Sequence, residues 1–65
     1  MKEDVIKVLE EIRTEINRDI ADIEKQRSKI EEYEEYVFYS ERILGLQIAK
    51  SKIWKRLLQL RKGGE

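Results

Sequence analysis

Apolar residues recur through the first part of the chain at Val5, Leu9, Ile12, Ile16, Ile20 and Ile23. The steps of 4, 3, 4, 4 and 3 average 3.6, the period of a helix with one buried face. Neither Gly nor Pro interrupts the first 44 residues, and strong helix formers (Glu, Lys, Arg, Leu, Ile) dominate throughout. Strand-like alternation is missing. The pattern predicts a helix over about residues 3–25.

After Ile23 the stripe stops. Glu24, Lys25, Gln26, Arg27, Ser28 and Lys29 are polar in a row, and Arg27 would sit on the apolar face if the helix ran on. Ser28-Lys29-Ile30-Glu31 fits the S-x-x-E capping box, in which a serine opens a helix and a glutamate three residues on reaches back to it. These signals predict a turn at 26–28 and a second helix over about 29–62. Folding the chain there pairs Ile23 with Ile30, Ile20 with Tyr33, Ile16 with Val37, Leu9 with Leu44 and Val5 with Ile48, each pair totalling 53 in residue number. All five pairs are apolar, so the expected fold is an all-α helical hairpin. The competing reading is one continuous long helix in an antiparallel coiled coil.

The second helix carries a further stripe: Tyr36, Tyr39, Ile43, Leu46, Lys50, Ile53, Leu57 and Leu60. Its steps alternate strictly between 3 and 4, the heptad seam of a coiled coil, with Lys50 its only charged member. If the first helix covers Ile30, Tyr33, Val37, Leu44 and Ile48, this seam is left over. Tyr36, Tyr39, Ile43, Leu46, Ile53, Leu57 and Leu60 are therefore the expected contact between copies of the chain.

Composition narrows the chemistry. The chain has 65 residues, no Cys, no His and no Pro. One domain over 1–65 is all that fits, and a chain this short rarely builds a self-sufficient core. Without Cys there is no disulfide or thiolate metal site, and without His the commonest general base and metal ligand is gone. The carboxylates Glu31, Glu32, Glu34 and Glu35 have no Gly-containing loop to wrap a cation and no cleft to split their acidities. No catalytic residue, cofactor or metal is expected; the chain reads as a non-enzyme. The longest wholly apolar run, Tyr36 to Tyr39, falls far short of the ~20 residues of a membrane span, and a cytoplasmic location is the expectation. Abundant Ile, Lys and Glu lean toward a thermophilic source.

Charge then gives the assembly a direction. Fourteen acids balance fourteen bases, but residues 1–41 hold thirteen acids against seven bases, while 42–64 hold seven bases and no acid. Parallel pairing would set the basic stretch against itself. Antiparallel pairing about residue 48 brings Glu41 near Lys55, Glu35 near Arg61 and Glu34 near Lys62. Each such surface pair is worth only a few tenths of a kcal/mol, so the penalty on the parallel alternative does more to choose orientation.

The basic amphipathic segment 42–64 also suits an anionic partner. Lys52, Lys55, Arg56, Arg61 and Lys62, with Trp54 among them, are the candidate polyanion-binding residues, directed at nucleic acid or an anionic membrane surface. The aromatic cluster Tyr33, Tyr36, Phe38 and Tyr39 lies among glutamates that repel phosphate, and reads as packing. In size and predicted shape the chain resembles the small RNA-regulating plasmid proteins that build four-helix bundles from two hairpins, a likeness of architecture carried by no motif. The favoured expectation is a small helical assembly protein that forms a homodimer, or a tetramer, and engages a larger protein. Nucleic-acid regulation and peripheral membrane binding through the basic helix are the alternatives.

Overall fold

A computed structural model describes residues 1–63; the last residues of the single-domain reading, Gly64 and Glu65, and the Gly64 end of the basic segment lie outside them. Two helices make up the fold. Helix α1 runs over Lys2–Arg27 and helix α2 over Tyr33–Lys62, and they pack against each other as a hairpin. The molecule measures 51 × 14 × 11 Å, with a radius of gyration of 15.2 Å. A globule of this length would have a radius of about 11 Å, so the hairpin is a rod.

Helix α1 begins with Glu3 and Asp4 in its first turn and ends with Lys25 and Arg27 in its last, each complementing the helix dipole. Its end is not the one the sequence predicts. The turn lies at 28–32 rather than 26–28, and α2 starts at Tyr33 rather than near residue 29. Ser28 closes the first helix instead of opening the second: its N–H donates to the Glu24 carbonyl at 3.0 Å and its Oγ donates to the Lys25 carbonyl at 2.7 Å. Lys29 and Ile30 N–H groups then donate to the Gln26 and Arg27 carbonyls. The last carbonyls of α1 are thus satisfied by a tightening of the chain itself, and no residue among those described takes a positive φ. The cap of α2 is Glu32, in extended conformation, and the Tyr36 N–H donates to its carbonyl at 3.0 Å. The presence of two helices also overturns the single-long-helix alternative.

Moving the turn moves the register. Asn17 faces Lys50, Arg27 faces Ser40 and Arg13 faces Trp54, and in each pair the residue numbers total 67 instead of 53. The helices are antiparallel, and α2 has slid by about four turns relative to the expected pairing. The face of α2 turned toward α1 changes as well. Ile20, Ile23 and Ile43 form the core, with Ile16, Tyr39 and Leu46 packed against it, and Leu57 is fully buried closer to the open end. The heptad seam of α2 therefore lies on α1.

Helix α1 answers with a heptad of its own. Beyond Lys2 at its start, Ile6, Leu9, Arg13, Ile16, Ile20, Ile23 and Arg27 are the residues withdrawn from solvent, at steps alternating between 3 and 4. Val5 and Ile12, members of the 3.6-residue stripe, lie outside it and are 49% and 39% exposed. A partner with a 3.5-residue seam selects the 3.5-residue seam opposite, even though that admits two arginines.

Candidate functional surface

Three polar side chains stand on the helix–helix seam, and each has a partner across it. Arg27 Nη1 donates to Ser40 Oγ at 3.0 Å, and its guanidinium lies 5.0 Å from the centre of the Tyr36 ring. Ser40 Oγ in turn donates to the Tyr36 carbonyl at 3.0 Å, a bond within α2. Arg13 stacks over Trp54 at 4.8 Å, and Lys50 Nζ donates to Asn17 Oδ1 at 3.0 Å. Near the open end Arg61 pairs with Glu10. A slipped register would strand these groups against aliphatic side chains. They act as pins, as single polar residues do in coiled-coil seams.

Arg13, Asn17, Gln47, Lys50, Ser51 and Trp54 line a shallow groove of about 310 Å³ beside these contacts. Its two cations are already engaged, by the indole and by the Asn17 amide. The groove is an open surface of the seam, and its Arg13, Asn17 and Lys50 side chains are used to hold the helices together.

The expected chain-to-chain contact is placed inside the hairpin. Ile43 and Leu57 are buried, Tyr39, Leu46, Ile53 and Leu60 are half-buried, and Tyr36 is exposed although Arg27 lies over its ring. The stripe expected to lie on α1 instead faces out. Tyr33 is 78% exposed, Leu44 57% and Ile48 52%, with Val37 half-buried beside them; Leu58 extends the same outer side. Two apolar faces on α2 were visible in the sequence, but periodicity alone does not say which one the neighbouring helix takes. The signal that could have decided it is the matching heptad Ile6–Leu9–Arg13–Ile16–Ile20–Ile23–Arg27, masked by the arginines.

Among the candidate polyanion-binding residues, Arg61 is drawn into its pair with Glu10. Lys52, Lys55, Arg56 and Lys62 are exposed, with no ion-pair partner among the described residues. No helix among the described residues is long and apolar enough to cross a membrane. No protein-family model, curated protein or solved structure matches this chain.

Proposed function

We propose that the chain is a small non-enzymatic assembly protein that acts through protein–protein contacts as a homo-oligomer, with a dimer as the basic unit. The observation that carries this reading is the surface left uncovered by the hairpin. A compact monomer of 7.9 kDa exposes about 4,400 Å², whereas this one exposes 5381 Å². The excess, on the order of 1,000 Å², is comparable with the ~800 Å² that each partner buries in a standard protein–protein interface. Exposed large apolar side chains lie on both helices, the longer series on α2 from Tyr33 to Leu58, where an assembly partner would cover them. A larger partner protein would use the same kind of surface. Sedimentation equilibrium of the full chain tests the reading: a mass above 7.9 kDa that rises with concentration supports it, and a monomer at about 100 μM, well above the micromolar dissociation constant common for interfaces of this size, removes it.

The exposed cations Lys52, Lys55, Arg56 and Lys62 favour a second reading, a polyanion-binding module directed at nucleic acid or an anionic membrane surface. Such binding would weaken steeply with salt in proportion to the phosphates neutralised. The balanced net charge of the chain weighs against it. Gel shift with RNA and DNA at two salt concentrations, beside flotation with anionic vesicles, separates this reading from the first.

A further inference from the structure

One line of residues on α2 is antisymmetric in charge. Glu34, Glu41, Ile48, Lys55 and Lys62 lie seven residues apart and so share one side of the helix. All five are exposed, and none of the four charges is ion-paired among the described residues. Read toward the C-terminus the order is acid, acid, apolar, base, base. Flanking it, Val37, Leu44, Ser51 and Leu58 form a second line with the same seven-residue spacing, three of its four members apolar. Gly45 lies on the same stretch. A Cβ added there would meet nothing within 4 Å, so nothing inside the hairpin requires a glycine at this mid-helix position. A glycine inside a helix costs about 0.5–1 kcal/mol relative to alanine, and close approach of another backbone from outside is a common reason for one.

An isologous interface pairs each residue with its counterpart across a two-fold axis, so it must be complementary to itself. Reversing this line about Ile48 places Glu41 opposite Lys55, Glu34 opposite Lys62, and Ile48 opposite itself. Val37 then falls opposite Gln59, one residue from Leu58, and Gly45 lies at the height of Ser51, where its missing side chain leaves room near the crossing. The parallel arrangement stacks acid on acid and base on base. Building on the homo-oligomer reading above, we infer that the outer face of α2 is the site for a second copy of this chain, docked antiparallel about a two-fold axis at Ile48. The order across the assembly is then α1, α2, α2 of the second copy, α1 of the second copy. Each hairpin keeps its own seam intact, because the contact uses side chains that the seam does not.

The test uses two charge-patterned full chains. One carries Lys55→Glu and Lys62→Glu, the other Glu34→Lys and Glu41→Lys. All four positions are exposed, so helix content by circular dichroism stays that of the wild type. The expected result is a wild-type dimer of twice 7.9 kDa, each patterned chain alone a monomer, and a dimer recovered in their 1:1 mixture. In the wild-type background Ile48→Asp is expected to raise the dissociation constant about 30-fold or more, as loss of a central contact does. If wild type, Ile48→Asp and both patterned chains are equally dimeric, this face is overturned while self-association stands. If the wild type is itself monomeric at about 100 μM, the homo-oligomer reading falls and takes this one with it.

Discussion

Leu57 is the largest fully buried side chain among the described residues, on a rod whose other apolar residues are mostly half-covered or exposed. Truncating it leaves a cavity that two helices have little freedom to close. Leu57→Ala should cost about 2–5 kcal/mol, measured by urea denaturation at a fixed low concentration. Trp54 presents the opposite case, half-exposed and holding Arg13 by its ring face. Its replacement by Leu keeps apolar bulk but removes the cation–π contact, worth about 0.5–1 kcal/mol at an exposed site. A double-mutant cycle with Arg13→Gln reads that coupling directly, and a coupling near zero would mean that the stacking does not set the register. Gly45 offers a substitution with opposed effects. Gly45→Ala should stabilise the isolated hairpin by about 0.5–1 kcal/mol, since a Cβ has open space there, while weakening any association that needs close approach at that point. Thermal melts at low concentration beside sedimentation at high concentration separate the two effects.

At the scale of the elements, helix number and type could be read from Val5 to Ile23 and from Tyr36 to Leu60, because long periodic runs with no Pro and a single Gly leave few alternatives. The turn could be placed only approximately. Ser28 and Glu31 have the spacing of a capping box, yet Ser28 hydrogen-bonds backward to Lys25, a choice open to any serine beside a helix end. Register follows from the turn, so the pairing was displaced with it, and so was the choice between the two faces of α2. The charge pattern about residue 48 was legible; that the heptad seam is covered by α1 and Ile48 left exposed was not, because burial by α1 is a tertiary fact. The loop over 28–32 makes a prediction of its own. It needs no positive φ, and its backbone bonds are local. Two glycines inserted between Lys29 and Ile30 should lower stability by less than about 1 kcal/mol, as loop lengthening does. The same insertion between Ile20 and Ala21 would break the seam and abolish cooperative unfolding.

For the whole molecule, the rod shape governs both stability and reach. Two helices bury one stripe each, and an assembly that covers a second stripe adds stability by mass action. The melting temperature should therefore climb with protein concentration, and a melt that does not move over a hundredfold range would count against association. The pair between Glu10 and Arg61 carries one more implication, for connectivity rather than for binding. It shows that the third turn of α1 lies beside the last turn of α2, although the two residues are 51 apart in sequence. Nothing in the packing records in which order the helices were made. A circularly permuted chain, with a short Gly/Ser bridge leading from the last residue back to Met1 and new ends opened between Lys29 and Ile30, should fold to the same hairpin. Its seam would be unchanged, and only the entropy of closing the loop would move from one end of the rod to the other.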